Sequence, residues 1–319
     1  MALRIYRSVE ELDGEFGPSA LTIGNFDGVH AGHRRILRRV VETARRNGWK
    51  PSALTFHPHP TKVVAPQRAP RLLTTPEERC RLIAGEGIEQ VLVLPFGPET
   101  AHLTPEEFVT RILVARLDAK AVLIGENFRF GYKQAGDTRM LQELGLRHGF
   151  RTEVIPAVSL RGRPISSSEV RRLIVAGHVA WAARLLERPH FVEGDVVTGR
   201  GIGASKTVPT LNLRTEAEVL PATGVYVTRT TDLDGGRRWP SVTNVGFRPT
   251  FGGEDLSVES FVLEPLGEER PLRMRLEFLR RLRAEAKFPD AGSLKAQILR
   301  DAGRARAYFR RLEKWVGAG

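Results

Sequence analysis

The segment GNFDGVHAGH, residues 24–33, is rich in glycine and histidine and has residue types and spacing suited to chemistry. An apolar run that predicts a strand precedes it (residues 20–23), and a pattern that predicts a helix follows it (residues 34–46). A glycine turn between a strand and a helix directs backbone N–H groups and the positive end of the helix dipole toward a bound anion. His30 and His33 add N–H donors that can follow charge as it develops in a transition state. The segment therefore predicts a site at which a triphosphate reacts.

The elements around this segment alternate between strand and helix as far as residue 180. The predicted strands are 20–24, 51–56, 91–96, 121–125 and 152–156, and the predicted helices are 32–47, 75–85, 104–117, 138–148 and 167–176. Two of these helices begin with Thr-Pro-Glu-Glu, which supplies a cap, a proline at the first helical position and acids in the first turn. This alternation predicts a parallel sheet covered on both faces, with ligands beyond the carboxyl ends of its strands.

The pattern changes near residue 188. Short β runs broken by glycine and proline follow, at 192–198, 223–231, 239–245, 256–263 and 273–278. They predict an antiparallel barrel or sandwich, and an amphipathic helix at 293–315 closes the chain. We therefore expect an α/β domain at residues 1–187 and an antiparallel β domain with a C-terminal helix at residues 188–319.

Composition narrows the class of protein. The chain has 319 residues, of which 41% are hydrophobic and 27% charged, as in a globular protein with a sizeable core. It has no apolar run of membrane-spanning length, and its first residues are too polar for a signal peptide. Its single cysteine, Cys80, allows no internal disulfide and predicts a reducing compartment, the cytoplasm. We expect that thiol to be partly buried and unreactive.

The formal net charge of +12 is compatible with nucleic acid or with small anionic substrates. Many arginines fall on amphipathic helices, where a solvated face is the ordinary interpretation; Arg304, Arg306, Arg310 and Arg311 are examples. Aromatic residues are only 7%, and no basic patch is interleaved with them. We expect small-molecule partners and no membrane partner, with nucleic acid as a minor alternative. The sequence leaves open whether the chain is a monomer or a weak homo-oligomer.

Three further segments follow predicted strands or open a helix in the first half. They are TFHPHP (residues 55–60), GENFRFG (residues 125–131) and ISSSEVRR (residues 165–172). Taken singly, they are a proline-stiffened loop, a glycine-bounded loop with core phenylalanines, and a serine N-cap. The histidines of the first are possible metal ligands, but no cysteine or acidic cluster stands beside them.

Together with a Gly-Asp pair at residues 136–137, these segments resemble the adenylyltransferase module of the bacterial bifunctional riboflavin kinase/FAD synthetase family. That module shows GxFDGxHxGH, TFxPHP, GxxFxFG, Gly-Asp and ISSxxxR in this order, and the resemblance covers about residues 18–188. It implies a Rossmann-like nucleotidyltransferase domain in which the FMN phosphate attacks the α-phosphate of ATP and pyrophosphate leaves, with Mg²⁺ assisting. The implied catalytic residues are His30 and His33. The implied nucleotide-binding residues are Gly24, Phe26, Asn127, Ser167 and Arg171.

A second group of candidate functional residues begins in residues 194–213, GDVVTGRGIGASKTVPTLNL. Spacing alone leaves two interpretations: a β-hairpin with ordinary turn glycines, or a second phosphate loop that includes Gly199 and Lys206. Thr210 and Asn212 alternate on a predicted strand, so both side chains face one side. Their oxygens are suited to Mg²⁺ bound to phosphate.

Downstream segments resemble the riboflavin kinase module of the same family: PTLN (residues 209–212), GVY (224–226), NVGFRPTF (244–251) and VE (258–259). The resemblance implies an antiparallel β-barrel, Thr210 and Asn212 as Mg²⁺–ATP ligands, and Glu259 as the base that accepts the ribityl 5′-hydroxyl proton.

This half also departs from the family pattern. Ala204 replaces the usual arginine of the phosphate loop, and the usual Tyr-Gly pair after the VE strand is missing. The main hypothesis is an enzyme that makes FMN from riboflavin and FAD from FMN. The alternatives are an FAD synthetase whose C-terminal module only binds flavin, and a flavin-responsive regulator that binds nucleic acid.

Overall fold

The computed structural model divides the chain into two compact units, Met1–Ser167 and Ser168–Gly319. The residues that the structure describes are 3–12, 14, 16–197, 210–250, 253–266 and 270–316. Within these residues, no helix has both the length and the apolar character needed to cross a membrane. The domain boundary that we expect near residue 188 stays a prediction.

The first unit is built on a six-stranded sheet in which every pair of neighbours is parallel. Its strands are β1 (Arg4–Tyr6), β2 (Ser19–Ile23), β3 (Lys50–His57), β4 (Gln90–Pro95), β5 (Ala119–Gly125) and β6 (Arg151–Ile155), in the order β1-β4-β3-β2-β5-β6. A separate two-stranded ribbon pairs β7 (Ser159–Leu160) with β8 (Arg163–Pro164). The parallel sheet is confirmed. The edge strand β1 was not predicted, because three residues are too few to show a period.

Six segments among the described residues of this unit are α-helices. They are α1 (Ala31–Asn47), α2 (Pro60–Val64), α3 (Pro76–Ala84), α4 (Pro98–His102), α5 (Pro105–Glu107) and α6 (Thr138–His148). A π-helical segment, Phe108–Val114, continues α5, and 3₁₀ turns lie at Pro66–Arg68 and Tyr132–Gln134. The predicted caps are confirmed: Thr75 and Thr104 each form a capping box with the glutamate three residues on.

Helices cover both faces of the sheet, as expected when parallel strands are apolar on both sides. Successive residues of β2 show this: Ala20 packs in a cluster with Leu37 and Val40 of α1, whereas Leu21 packs in a different cluster with Leu141 of α6. Every residue of β2 is buried. The central strand therefore delivers the segment after it to a fixed place at the carboxyl edge of the sheet.

Cys80 lies in α3 and packs in the same cluster as Ala20. It is only 2% exposed, so it is more deeply buried than the partly buried thiol that we expected. Burial raises the pKa of the thiol, which keeps it protonated and unreactive near neutral pH.

The second unit is a closed barrel in which every neighbouring pair of strands is antiparallel. Its strands are β9 (His190–Val197), β10 (Thr210–Arg214), β11 (Gly224–Asp232), β12 (Arg238–Thr250), β13 (Gly253–Val262) and β14 (Arg273–Arg283), in the closed order β10-β13-β12-β11-β14-β9. Closure decides between the barrel and the sandwich that the sequence left open. The remaining helices are α7 (Ser167–Val175), α8 (Val179–Leu186), which was not predicted, and the C-terminal α9 (Ala291–Val316).

The C-terminal helix α9 packs on the outside of the barrel. Its residues Ala302, Ala305 and Phe309 share a buried cluster with Val225 and Val227 of β11. An ion pair also holds it: Arg283 Nε at the end of β14 donates to Asp301 Oδ2 over 2.9 Å. Gln297 Nε2 donates to the other carboxylate oxygen over 2.9 Å, and Asp301 is only 1% exposed. The position of α9 thus depends on a buried, fully bonded carboxylate.

The substitution Asp301→Asn tests this attachment. It keeps the size of the side chain and removes its charge, so Arg283 is left beside a neutral group. Losing one partner of a buried ion pair costs about 3 kcal/mol, or roughly a hundredfold in the local opening equilibrium. We expect amide hydrogens of α9 to exchange faster by about that factor, measured by hydrogen–deuterium exchange and mass spectrometry. Glu313→Gln, an exposed change on the same helix, is the control, and equal exchange in both variants would contradict the role of the pair.

Candidate active sites

The segment 24–33 joins β2 to α1 and lies at the carboxyl edge of the parallel sheet, as predicted. Three of its residues have left-handed backbone: Phe26 (φ 48°), Gly28 (φ 77°) and Val29 (φ 40°). A β-branched valine disfavours this region, so contacts from outside the loop must hold it there. Glycine is needed at position 28 for a second reason, because a Cβ there would lie 2.7 Å from Leu73 Cδ1.

The Asp27 carboxylate provides those contacts. It is 2% exposed, and it accepts hydrogen bonds from Leu73 N (2.9 Å), Thr74 N (3.2 Å) and Thr74 Oγ1 (3.2 Å). Gly28 N donates to the same threonine oxygen over 3.2 Å. The backbone carbonyl of Asp27 accepts from Ser167 Oγ over 2.9 Å, across 140 residues of chain. Asp27 therefore fixes the loop between the chain before α3 and the first residue of α7.

The two histidines are held face to face at the start of α1. His30 is the N-cap, and its Nδ1 accepts from His33 N over 3.4 Å. The rings stack with centroids 3.7 Å apart and an angle of 16° between planes, and Phe26 meets His33 edge to face at 5.2 Å. In the part of the chain that the structure describes, the N–H groups of Ala31 and Gly32 have no hydrogen-bond partner, as is usual in the first turn of a helix. These N–H groups are available to an anion.

Both imidazoles are neutral near neutral pH. Burial lowers the pKa of His30 to about 4. Burial also holds the pKa of His33 well below 6.5, with further lowering from the charges of His30 and Arg79. A neutral imidazole carries one N–H donor, and the buried His33 Nδ1 has no partner among the described residues. The pair therefore offers polar donors without adding fixed positive charge.

A buried cation that the sequence analysis did not single out lies near this loop. Arg79 of α3 is 1% exposed, and its Nη1 donates to Thr55 Oγ1 and Phe56 O at the end of β3, both over 3.2 Å. Its Nε and Nη2 have no partner among the described residues. Burial lowers the pKa of Arg79, and the charge of Asp27 opposes that shift. No signal in the sequence identifies it, because an arginine on an amphipathic helix is ordinarily solvated.

Three further predicted residues of the nucleotide site lie on different elements. Gly24 N donates to Leu54 O over 3.0 Å, and a Cβ on Gly24 would lie 3.2 Å from the Phe26 ring. Asn127 is exposed just beyond β5, which neighbours β2 in the sheet. Arg171 lies one turn into α7 and belongs to the second unit.

Two segments of the motif set have local structural roles. His59 caps α2, since its Nδ1 accepts from Thr61 N over 3.2 Å, and Asp137 caps α6 by accepting from Met140 N over 2.9 Å. Within the described ranges, no three His, Cys, Asp or Glu side chains are grouped so as to hold a metal.

In the barrel, strand pairing brings the predicted kinase residues together. Glu259 of β13 pairs with Asn212 of β10 on one side and with Asn244 of β12 on the other. Residues paired in this way have Cβ atoms about 5 Å apart on the same face. Thr210 lies two residues from Asn212, with its alternating neighbour Leu211 buried in the core. Asn244 lies within a predicted motif, but its place beside Glu259 could not be predicted, because strand register is not visible in one sequence.

A cavity of about 640 Å³ lies at this row of polar residues. Thr210, Asn244 and Glu259 line it from the barrel, and Phe288, Leu294 and Ile298 line it from α9 and the chain before it. Polar and apolar walls suit a molecule with a planar apolar part and a polar chain. Gly199 and Lys206, the predicted phosphate-loop residues, lie outside the described residues.

Comparisons with known proteins match a different family model to each half of the chain. A family model described as FAD synthetase matches residues 14–169, and one described as riboflavin kinase matches residues 186–309. A bifunctional riboflavin kinase/FMN adenylyltransferase from Pseudomonas fluorescens is 35% identical over 96% of this chain and 97% of its own length. The chain belongs to the bifunctional riboflavin kinase/FMN adenylyltransferase family.

A second relative and a solved structure also match most of the chain. The protein of that name from Escherichia coli K12 is 35% identical over 91% of this chain and 92% of its own length. A solved structure named as a macrolide-efflux protein, from Streptococcus pneumoniae, superposes with a TM-score of 0.85 at 26% identity, and the match covers 96% of this chain and 99% of that one. The FAD synthetase match contains the loop 24–33, and the riboflavin kinase match contains the row formed by Asn212, Glu259 and Asn244.

The neutral histidine pair of this family member can be tested by NMR. We expect the ring signals of His30 and His33 to show no titration midpoint near pH 6.5, where an unperturbed imidazole titrates, because burial lowers the pKa of His30 to about 4 and holds the pKa of His33 well below 6.5. The measurement is a pH titration of the chain labelled with ¹³C-histidine, with signals assigned by His30→Gln and His33→Gln. Free labelled histidine added to the same sample serves as the reference. A midpoint above pH 6 for either buried ring would contradict the neutral pair.

Proposed function

We propose that the chain phosphorylates riboflavin to FMN and adenylylates FMN to FAD, using ATP in both steps. The observation that carries the proposal is the pair of separate polar sites. One is a helix N-terminus with two neutral histidines at the edge of the parallel sheet, and the other is Glu259 in register with Asn212 on the barrel. The first suits charge stabilisation on a phosphate, and the second suits deprotonation of an alcohol.

The first site is suited to adenylyl transfer. An oxygen of the FMN phosphate attacks the α-phosphate of ATP in line, a new P–O bond forms, and the bond to the β-phosphate breaks to release pyrophosphate. No covalent intermediate on the protein is needed, so catalysis consists of positioning and charge stabilisation. His30, His33 and the free N–H groups of the first turn donate to the phosphates. In this proposal, the nucleotide-binding residues are Gly24, Phe26, Asn127, Ser167 and Arg171.

The second site is suited to phosphorylation of an alcohol. Glu259 accepts the proton of the ribityl 5′-hydroxyl as that oxygen attacks the γ-phosphate of ATP, and ADP leaves. The two amides beside it, Asn212 and Asn244, are in register to orient the carboxylate or the phosphate. The apolar wall formed by Phe288, Leu294 and Ile298 suits the isoalloxazine ring.

The donor set on β10 fits Mg²⁺. The side-chain oxygens of Thr210 and Asn212 are hard ligands, which Mg²⁺ takes together with substrate phosphates. When bound, the ion would neutralise phosphate charge and orient the transferred group. Gly199 and Lys206 stay predicted phosphate ligands.

We also propose a cytoplasmic location, because the single cysteine, Cys80, is a free thiol.

The proposal is tested by flavin chromatography of three purified proteins: the natural chain, His30→Ala and Glu259→Gln. With riboflavin, ATP and Mg²⁺, the natural chain should form FMN and then FAD. His30→Ala should accumulate FMN, because it loses donors of the adenylyl site and keeps the barrel. Glu259→Gln should not act on riboflavin but should convert supplied FMN to FAD. Losing one such catalytic group typically costs about 10²–10⁴-fold in rate.

Other outcomes would overturn parts of this proposal. If the natural chain makes FAD from FMN but nothing from riboflavin, the barrel only binds flavin. If neither product forms and the chain instead binds RNA or DNA with strong salt dependence, it is a regulator. Equal loss of both activities in either variant would contradict the assignment of two sites.

A further variant, Asn212→Ala, separates the metal site from the base. It removes an oxygen ligand from β10 while Glu259 stays in place. We expect the Mg²⁺ concentration for half-maximal riboflavin phosphorylation to rise by about tenfold, in line with the loss of one ligand. The Mg²⁺ dependence of FAD formation from FMN should not move, which makes that reaction the matched control. An unchanged Mg²⁺ dependence of phosphorylation would contradict Asn212 as a ligand.

A further inference from the structure

A second cavity on the barrel unit, of about 320 Å³, shares no lining residue with the cavity at Glu259. It lies between β14 and α9. Four arginines line it: Arg280 and Arg281 from the strand, and Arg304 and Arg311 from the helix. Among the residues that the structure describes, no acidic one lines it. Arg304 and Arg311 were predicted to lie on a solvated helix face, whereas both line this cavity.

These arginines have few partners within the described ranges. The side chains of Arg280, Arg304 and Arg311 make no hydrogen bond or ion pair with the described residues, and all three residues are exposed. Arg281 Nη2 donates to Thr223 O over 2.7 Å, but its Nε is buried without a partner. By contrast, Arg283 on the same strand is paired with a buried carboxylate. The three exposed guanidinium groups, those of Arg280, Arg304 and Arg311, are like charges around one cavity and repel one another unless an anion is bound.

Apolar residues also line this cavity. They are Val227 of β11, Leu282 of β14 and Ala307 of α9, and the aromatic residue Tyr308 lines it with them. A volume of about 320 Å³ is at the lower end of the range for small-molecule pockets. Apolar and aromatic residues together with guanidinium groups suit a molecule that has a flat ring and one or more phosphates, since guanidinium binds phosphate in a bidentate manner.

We propose that this cavity binds a small phosphorylated molecule with a planar ring, a nucleotide or a flavin phosphate, at a site separate from both active sites. The inference does not depend on the proposed function, because it rests on the charge and shape of the cavity alone. The charge distribution of the chain agrees with it. Residues 271–319 contain 13 Lys and Arg against 5 Asp and Glu, in a chain of net charge +12. A cavity of this volume fits a small molecule.

Arginine footprinting on the natural chain locates such a ligand directly. Phenylglyoxal modification, mapped by mass spectrometry, would be compared with and without ADP, FMN or inorganic pyrophosphate. We expect ADP or FMN to slow modification of Arg304 and Arg311 by about tenfold or more, since each charge-assisted hydrogen bond contributes about that factor in affinity. Arg310 is the matched control, because it is exposed on the same helix and does not line the cavity. Protection by ADP alone would show that the cavity binds a nucleotide, and protection by FMN alone would show that it binds a flavin phosphate.

A pair of double variants completes the test. Arg304→Gln with Arg311→Gln should remove one ligand site per chain in calorimetric titration, whereas Arg300→Gln with Arg310→Gln, of equal charge change, should keep it. Flavin turnover should continue in both, because neither active site is altered. Unchanged footprints, protection by pyrophosphate as strong as by ADP and FMN, or equal loss in both variants would overturn the proposal. So would a single-stranded RNA that protects the four arginines better than ADP and FMN do, because the site would then belong to nucleic acid.

Discussion

The proposed adenylyltransferase site depends on the carboxylate of Asp27. That group accepts three hydrogen bonds from the chain before α3 and holds a loop in which three residues have left-handed backbone. A non-glycine residue in this conformation costs roughly 1–2 kcal/mol, so Phe26 and Val29 require compensation. Hydrogen bonds to a charged acceptor contribute about 1.5–3 kcal/mol each, which is enough to offset that cost. This strained loop conformation brings His30 to the N-cap of α1, where its ring stacks on the ring of His33.

The barrel site depends on strand register. Glu259 lies on the outer face between two asparagines because β13 pairs with both β10 and β12 in one fixed alignment. A shift of one residue would turn that carboxylate toward the interior, where neighbouring residues such as Val258 and Ser260 are buried. Buried hydroxyls help to fix the alignment: Thr230 Oγ1 hydrogen-bonds to Ser260 Oγ over 2.9 Å across the interior. The interior of the barrel thus determines the geometry of its outer face.

Much of this arrangement follows from local patterns in the sequence. Alternating apolar strands and capped helices predict the parallel sheet, and Thr210 and Asn212 fall on one face of a strand because side chains alternate. Contacts between distant segments do not follow from such patterns. The register that brings Asn244 to Glu259 and the burial of Arg79 both require the assembled fold. The arginine-lined cavity also requires the assembled fold, because the charges on α9 do not predict that β14 lies beside them.

The central claim is that one chain holds two ATP sites, one on each unit. A crystal structure of the full chain with Mg²⁺ and a non-hydrolysable ATP analogue tests it most directly. The account predicts one analogue whose phosphates lie within hydrogen-bond distance of His30, His33 and the N–H groups of Ala31 and Gly32. It predicts a second analogue whose Mg²⁺ is bound by Thr210 and Asn212. An analogue absent from either place, or phosphates bound away from these residues, would contradict the account.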